Sequence, residues 1–275
     1  MGERVVRNDE VSGSIPLSST TLFRVVVPAR DSAPWIGLFA DAYHALGLRP
    51  LYLYDTRSVD GTLAALQRKG AEIVPVTPQH DRVEAMLAIT RQVVPNEWVV
   101  RLDDDELPSA ALVAWLQQAL AGVEAPCLAL SRRDAWLLDG RLHYSRLEDY
   151  YFHPQDPTYL DPQWRAFRPR QVGFTDRIHS PGFDASQAGT VPASAFFVHF
   201  DWIIRSLAQR RAKLAGYERQ SPGAGQGGFA RFYLPEMHQA GDSRWTPFET
   251  AEFDGLARQL AINAAAAVPP AATAR

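Results

Sequence analysis

The amino-acid sequence predicts an α/β protein with a mostly parallel, Rossmann-like sheet, helices on both of its faces and a C-terminal extension. Between residues 23 and 119, apolar runs of strand length alternate four times with segments whose apolar residues recur at helical spacing. This alternation is typical of βαβ units, in which right-handed crossovers join parallel strands. The fourth run is followed at once by four acids, at 103–106. Acids in this position indicate the carboxyl edge of a parallel sheet, where α/β proteins bind their ligands.

The first half of the chain is expected to contain four strands and four helices. Pro75 places the third strand at the edge of the sheet, because proline cannot donate a hydrogen bond to a neighbouring strand. Gly47 and Gly70 follow the first two helical segments and are suited to cap their C-termini. The predicted strands are 23–27, 51–54, 72–76 and 97–102, and the predicted helices are 36–46, 63–69, 83–89 and 112–119.

Beyond residue 125 the alternation ends. Asp139 and Gly140 predict the turn of a β-hairpin. The segment 145–195 is rich in proline and aromatic residues, and we interpret it as substrate-contacting loops over the scaffold. The other predictions are a strand at 127–130, a hairpin at 136–144, a last strand at 195–199, a basic helix at 201–217 and a helix at 248–263. We expect a flexible arm (1–20), two halves of one domain (21–125 and 126–263) and a disordered tail (264–275).

Composition excludes several classes of protein. Lys+Arg 28 against Asp+Glu 31 gives a formal net charge of −3, so no basic excess indicates a nucleic-acid partner. Cys127 is the only cysteine, which excludes a disulfide within the chain and fits a reducing compartment. No apolar run approaches the roughly 20 residues of a membrane span, and the N-terminus lacks a signal-peptide core. We therefore expect a cytoplasmic protein, with association at the inner face of the membrane and the oligomeric state left open.

The acids at 103–106 favour a divalent cation. Carboxylates placed close together repel one another, and hard oxygen ligands favour Mg²⁺ or Mn²⁺. The alternative is a solvated acidic turn before a helix, for which Glu106 and Pro108 would be suitable. Asp55 ends the second strand, where an acid can accept hydrogen bonds from a base or ribose, although it could also be a simple turn residue. Neither a GxGxxG nor a P-loop pattern follows it.

Three segments of the first half resemble family 2 glycosyltransferases. The Asp-Asp-Gly-Ser-x-Asp-Gly-Thr turn of that family is similar to residues 55–62, Asp-Thr-Arg-Ser-Val-Asp-Gly-Thr, with Arg57 in place of the usual glycine. Its opening strand and loop resemble Val-Pro-Ala-Arg at 27–30. Its Asp-x-Asp-Glu signature is similar to Asp-Asp-Asp-Glu at 103–106.

The second half resembles the branch that includes lipopolysaccharide-core and peptide-modifying transferases. In that branch an Arg-Leu-Phe-Arg stretch is followed by Val-His-Glu, and then by His-Tyr before a basic helix. The similar segments here are Arg-Ala-Phe-Arg at 165–168, Ile-His-Ser at 178–180 and His-Phe at 199–200. The whole resemblance covers residues 22–220. It implies that the first half binds a nucleotide-sugar and that the second half binds the acceptor.

The resemblance further implies a GT-A fold and transfer of the sugar with inversion at the anomeric carbon. Asp105 is then the direct ligand of Mn²⁺ or Mg²⁺, and Asp103 contacts the ribose and a metal-bound water. Asp104 belongs to the same donor site but is expected to point to the opposite face of an extended backbone. Further donor contacts are expected from Pro28, Ala29 and Arg30 beside the base and ribose, from Asp55 at the base edge and from Arg205 at the diphosphate.

Two histidines compete for the remaining metal or phosphate position. His199 ends a strand before the basic helix and resembles the C-terminal histidine that completes metal coordination in many GT-A enzymes, whereas His179 lies in a predicted loop. An inverting transfer also requires a base that takes the proton of the acceptor hydroxyl. The resemblance favours Asp161 for this role, with Asp176 and Asp149 as alternatives.

The sequence thus predicts a metal-dependent glycosyltransferase of hexosyltransferase type. Its acceptor would be a glycan, a lipid-linked saccharide or a small molecule. The basic residues after Asp201 could neutralise the diphosphate, Arg205 first, whereas Arg210, Arg211 and Lys213 could instead lie on a solvated helix face. A sugar-1-phosphate nucleotidyltransferase is a rival, but it needs a Gly-rich loop after the first strand, which residues 28–31 do not provide. A non-catalytic nucleotide- or carbohydrate-binding module is the other rival.

Overall fold

The computed structural model describes residues 22–79, 83–145, 161–176, 180–220, 234 and 245–266 of the 275-residue chain. The predicted arm (1–20), Asp149 and His179 lie outside these residues. The strands are β1 (Phe23–Ala29), β2 (Leu51–Asp55), β3 (Glu72–Val76), β4 (Trp98–Arg101), β5 (Glu106–Pro108), β6 (Cys127–Leu138), β7 (Arg141–Ser145), β8 (Pro162–Phe167), β9 (Ala188–Thr190), β10 (Phe196–His199) and β11 (Trp245–Pro247). The helices are α1 (Ile36–Ala45), α2 (Thr62–Arg68), α3 (Thr90–Val93), α4 (Ala110–Ala119), α5 (Asp201–Ile204), α6 (Leu207–Gln220) and α7 (Asp254–Ala266), with 3₁₀ segments at Val83–Ile89 and Leu120–Gly122.

The first half of the chain forms a parallel sheet in the order β3-β2-β1-β4. The chain starts at β1, winds outward through β2 to β3, and then returns to place β4 on the other side of β1. The winding direction therefore reverses between β1 and β4, and such a reversal leaves a crevice at the carboxyl ends of the two strands. Pro75 lies in β3 at the end of this order, so the prediction of an edge strand is confirmed.

The second half continues the same sheet with mixed strand directions. β8 is antiparallel to both β4 and β6, so the sheet crosses the predicted division at residue 125 without a break. β6 is 12 residues long and pairs along its length with β8, β10 and β7. β10 lies parallel to β6 and antiparallel to β5, the short strand that begins at the last of the four acids.

Two apolar layers cover the sheet. Val25 and Val27 of β1 belong to one layer and Val26 to the other, because successive side chains of a strand point to opposite faces. The first layer contains α1, α4 and α7. The second contains the 3₁₀ segment Val83–Ile89 and part of the segment 172–183. The predicted α/β class with a Rossmann-like, mostly parallel sheet is confirmed. No helix in the described part of the chain combines the length and apolarity needed to cross a bilayer.

The predicted hairpin is confirmed. β6 and β7 are antiparallel and are joined by Asp139 and Gly140, whose φ angles are 50° and 73°. Two positive φ angles in succession define the type I′ turn, whose twist matches that of the flanking strands, and Asp-Gly is one of the pairs that adopt it most easily.

The predicted basic helix at 201–217 is wrong as a single element. It is divided into α5 and α6 by Arg205, which has an extended backbone with φ −107° and ψ 132°. Ser206 and Gln209 then make reciprocal hydrogen bonds, from the Ser206 amide to Gln209 Oε1 (2.8 Å) and from the Gln209 amide to Ser206 Oγ (3.3 Å). This is a capping box, which starts a new helix, and the sequence signal for it was present.

Three further element predictions need correction. The segment 83–89 is a 3₁₀ helix and not an α-helix. The strand predicted to be the last is followed by β11, and the Phe248 amide still donates to the Leu142 carbonyl (3.2 Å), so α7 begins at Asp254 and not at 248. α7 ends at Ala266, inside the segment predicted to be disordered, since alanine is the strongest helix former. Residues 267–275 are not described.

Candidate active site

The carboxyl ends of β1, β2 and β4 open into a cleft of about 380 Å³. The cleft lies at the reversal of strand order, as expected for a ligand site in an α/β protein. Every described residue that the sequence assigned to the donor or the metal lines it. The lining residues are Pro28, Ala29, Arg30, Asp55, Arg57, Val83, Met86, Asp103, Asp104, Asp105, His199, Arg205 and Lys213.

The pairing of β5 with β10 brings the acids to His199. Glu106 is the register partner of His199, and the Phe200 amide donates to the Asp105 carbonyl (2.9 Å). α5 starts directly after this contact, at Asp201. Asp105, His199 and Asp201 can each offer one ligand atom, and these atoms lie within 4.8 Å of one another.

This cluster has the donor set of a divalent cation site. Two carboxylates and one imidazole suit Mn²⁺ and related ions. Oδ2 of Asp201 is buried and, within the described part of the chain, has no hydrogen-bond partner, which is costly for a carboxylate oxygen. Oδ1 of the same residue accepts a hydrogen bond from Lys213 Nζ (2.7 Å) and another from Arg205. The orphaned oxygen and the neighbouring donor atoms therefore fit a bound cation.

Basic groups compensate the charge of Asp105. Its carboxylate accepts a hydrogen bond from Arg205 Nη1 (2.8 Å), and its Oδ1 lies 3.6 Å from His199 Nε2. Burial acts to raise the pKa of Asp105, but His199 and Arg205 outweigh it and hold the pKa well below its usual range. Burial would likewise lower the pKa of His199, but the carboxylates of Asp105 and Asp134 raise it to about 10. A metal ion bound at Nε2 would take the place of a proton there.

Asp103 is held by two arginines. Arg101 Nη2 lies 2.9 Å from its Oδ1, and Arg165 Nη2 lies 2.9 Å from its Oδ2. Burial opposes ionisation, but the two guanidinium groups outweigh it and lower the pKa of Asp103. Arg165 also donates to Glu106 (2.6 Å), which is fully buried. The alternative of a solvated acidic turn is therefore wrong: Asp105 and Glu106 are buried because cationic side chains are buried with them.

Asp104 does not point away from the other acids. It lines the cleft together with Asp103 and Asp105, and Ser32 Oγ donates a hydrogen bond to its Oδ2. The expected alternation of side chains applies to an extended strand, but β4 ends at Arg101 and the chain turns at 104 and 105. Burial and the neighbouring charge of Asp105 raise the pKa of Asp104 to about 7.

The other end of the cleft is formed by Asp55 and two arginines. The Arg57 guanidinium donates hydrogen bonds to both carboxylate oxygens of Asp55, from Nε to Oδ1 (3.0 Å) and from Nη2 to Oδ2 (2.7 Å). The Arg57 amide also donates to Oδ1 (2.9 Å). Arg30 Nε lies 3.9 Å from Oδ2. Burial acts to raise the pKa of Asp55, but its hydrogen bonds with Arg57 lower it. Arg57, which stands where the family turn usually has glycine, therefore controls the carboxylate predicted to read the base edge.

The two described candidates for the general base do not line the cleft. Asp161 is buried, and its carboxylate accepts from Arg132 Nε (2.6 Å) and Gln163 Nε2 (2.8 Å). Burial raises the pKa of Asp161 against the effect of Arg132. Asp176 is exposed. Neither carboxylate lines the cleft, and the identity of the general base stays a prediction from the sequence.

The break between α5 and α6 gives the cleft two cations. Arg205 contacts both Asp105 and Asp201, and Lys213 of α6 reaches the same Asp201. Lys213 was expected on a solvated helix face, and so was Arg210, which is buried with its guanidinium 5.3 Å from the centre of the Trp136 ring. Neither side chain lies on a solvated face: Arg210 is buried and Lys213 is directed toward Asp201, whereas Arg211 is exposed, as expected.

Three residues of this charged cluster were not identified from the sequence: Asp201, Arg165 and Asp134. Asp201 follows the predicted metal ligand His199 by two positions, and this spacing was the available signal. Arg165 stands at the start of the quoted Arg-Ala-Phe-Arg segment but received no role. No local pattern marks Asp134, because only the pairing of β6 with β10 brings it beside His199.

No protein-family model and no curated protein sequence matches the chain. Similar solved structures include glucosyl-3-phosphoglycerate synthase from Mycobacterium tuberculosis in complex with Mn²⁺, UDP-glucose and phosphoglyceric acid. It is 15% identical over 83% of this chain and 87% of that one, with a TM-score of 0.48. Another is S. aureus TarS 1-349, 11% identical over 88% of this chain and 70% of that one, with a TM-score of 0.46.

A second complex of the mycobacterial synthase, with Mn²⁺, UDP and glucosyl-3-phosphoglycerate, is 20% identical with a TM-score of 0.34. That alignment covers 42% of this chain and 44% of the other, so the chain spans less than half the length of this relative.

Proposed function

We propose that the chain is a metal-dependent GT-A glycosyltransferase. It would take a sugar from a nucleotide-diphosphate donor and transfer it, with inversion, to a hydroxyl-bearing glycan, lipid-linked saccharide or small molecule. The observation that supports this most directly is the cluster of Asp105, His199 and Asp201, whose ligand atoms lie within 4.8 Å of one another. The cluster stands beside Arg205 and Lys213 at the ligand-binding edge of the sheet.

This combination of charges suits a diphosphate. As the bond between the sugar and the diphosphate breaks, negative charge grows on the leaving group, and a divalent cation held by Asp105, His199 and Asp201 would stabilise that charge. Arg205 and Lys213 present N–H donors at the same place, and charge-assisted hydrogen bonds to phosphate oxygens are among the stronger ones. An uncharged ligand would not require so many charged side chains around it.

The other end of the cleft suits a nucleoside. Val83 and Met86 offer apolar contacts for the face of a base, whereas Arg30, Asp55 and Arg57 offer polar contacts for its edge. In this orientation the diphosphate extends from β1 toward Arg205. Inversion and the class of acceptor are proposed from the sequence resemblance alone. We propose no general base from the contacts of the described residues.

A non-catalytic nucleotide-binding module is the second candidate. It is favoured by one specific observation: Asp103 and Asp105 are already paired with Arg101, Arg165 and Arg205. A cleft of this kind could hold a nucleotide without turning over a donor. The two candidates differ in one measurable property, which is turnover that depends on a divalent cation.

The deciding experiment combines binding and turnover. UDP-, dTDP- and GDP-sugars are first screened with Mn²⁺ by thermal shift, and hydrolysis of each stabilising donor is then measured with and without Mn²⁺. We expect hydrolysis that requires Mn²⁺ and is lost in Asp105→Ala, while the exposed control Asp41→Ala, on α1, behaves as wild type. Donor binding without hydrolysis would support the binding module. No binding of any nucleotide-sugar would refute both candidates. A cytoplasmic location stays a prediction from the sequence.

A further inference from the structure

A buried carboxylate lies directly behind His199. Asp134 is on β6 and is the register partner of His199 in the parallel pair of β6 with β10. Its Oδ1 lies 2.6 Å from Nδ1 of the imidazole, and Asp134 is only 6% exposed. On the other side of the ring, Nε2 faces Asp105 Oδ1 at 3.6 Å. The ring is thus held between a carboxylate of the cleft and a carboxylate outside it.

Backbone and side-chain contacts both fix the position of Asp134. The strand pairing sets its backbone, and Arg132 Nε lies 3.7 Å from its Oδ1. Arg132 is itself bound to Asp161, with Nη2 2.5 Å from Oδ2. A chain of charged groups therefore runs from the start of β8 to the imidazole. A carboxylate held this firmly can fix the orientation of the ring that it contacts.

The contact also decides which ring nitrogen can bind a cation. In metal-ligating histidines the nitrogen that does not touch the metal usually donates its N–H to a carboxylate or carbonyl. With Nδ1–H donated to Asp134, the lone pair of Nε2 is directed toward Asp105 and Asp201. The opposite tautomer would place an N–H where the cation has to sit.

We propose that Asp134 is a positioning residue, which holds His199 as the Nδ1–H tautomer with Nε2 available to a divalent cation. This inference rests on the proposed function, because it assumes the cation site of Asp105, His199 and Asp201. Asp161, the predicted general base, belongs to the same chain of charged groups. Asp161 anchors Arg132, which in turn lies beside Asp134.

The test measures Mn²⁺ affinity of the full chain by electron paramagnetic resonance of unbound Mn²⁺, without nucleotide or turnover. We expect Asp134→Ala to raise the Mn²⁺ Kd about 10–100-fold, the usual cost of losing an outer partner of a metal ligand. Asp134→Asn keeps an oxygen that can accept from Nδ1–H, so its effect should be smaller. Asp41→Asn, an isosteric change on the exposed face of α1, should leave the Kd unchanged.

A double-mutant cycle separates positioning from a general structural effect. If Asp134 acts through the ring, Asp134→Ala should change the Kd less than about twofold in a His199→Ala background, because coupled residues are not additive. An equal effect in both backgrounds, or a wild-type Kd in Asp134→Ala, would overturn the inference. If Asp134→Ala does not fold, the same cycle is made with Asp134→Asn, and an Asn effect that persists without His199 overturns it. Wild-type protein that binds no Mn²⁺ would instead refute the proposed metal site.

Discussion

The close approach of Gly182 to the 3₁₀ segment Val83–Ile89 gives a sharp prediction for stability. Gly182 has φ +84°, which side chains rarely adopt, and a Cβ built there would lie 2.7 Å from Leu87 Cδ1 and 3.4 Å from Glu84 Cβ. Leu87 is fully buried, so its methyl group cannot swing into solvent to make room. Gly182→Ala should therefore both strain the backbone and overpack the contact with the 3₁₀ segment.

The magnitude follows from the two costs. A positive φ costs an alanine about 1–2 kcal/mol, and overpacking a filled core typically costs about 1–3 kcal/mol. The loss of chain entropy in the unfolded state returns about 0.4–1 kcal/mol. We expect Gly182→Ala to lower the free energy of unfolding by about 2–4 kcal/mol, near the upper end of common point mutations.

Gly140→Ala is the matched control. Gly140 has φ +73°, but no atom lies within 4 Å of its built Cβ, so this variant carries the backbone strain without the overpacking. Urea unfolding monitored by circular dichroism gives both values from the linear dependence of free energy on denaturant. Gly182→Ala should be the less stable of the two by about 1–3 kcal/mol. Equal destabilisation of the two variants would show that the segment around Gly182 is not packed against the 3₁₀ helix.

Three further predictions concern the base end of the cleft, the core and a helix cap. Arg57→Gly releases Asp55, whose carboxylate can then accept a hydrogen bond from the N3–H of uracil. Because the new hydrogen bonding contributes about 1.4 kcal/mol, the affinity for UDP relative to CDP, measured by calorimetry, should rise about tenfold. An unchanged ratio of the two affinities would show that Asp55 does not face the base. Cys127 is fully buried, and burial raises its pKa to about 11. Iodoacetamide at pH 8 should therefore label it only in denaturant, as detected by mass spectrometry. Rapid labelling of the native protein would contradict this prediction. Ser109 Oγ accepts a hydrogen bond from the Leu112 amide (3.1 Å) at the start of α4. Ser109→Ala should therefore lower the free energy of unfolding by about 1 kcal/mol and lower the Tm. An unchanged Tm would argue against this helix cap.

The first half of the fold could be read from the sequence because its signals are local. Apolar runs mark buried parallel strands, Pro75 marks an edge, and Asp139-Gly140 marks a type I′ turn. The break at Arg205 also had a local signal, because Ser206 and Gln209 form a capping box. The basic pattern around it nevertheless predicted one continuous helix.

Part of the candidate site was readable for a similar reason. Carboxyl ends of neighbouring parallel strands meet at one edge of a sheet, so acids after β2 and β4 had to lie near one another. This rule predicts that Asp55, Asp103 and Asp105 lie near one another, and all three line the cleft. The contacts of Asp161 could not be predicted in this way, because its sequence distance from Arg165 says nothing about which buried cation its carboxylate contacts, and that cation is Arg132.

By itself, the sequence determined the class of fold, the edge of the sheet that carries the acids and the kind of ion they suit, because strand period and carboxylate repulsion act within a few residues. Only the tertiary structure decided which charges are paired. Arg165 and Asp201 reach the acids at 103–106, and Asp134 reaches His199, from strands and helices that are distant in the chain. Since a buried ion is tolerated only beside its partner, these long-range pairings decide which carboxylates are neutralised and which atoms remain for a ligand.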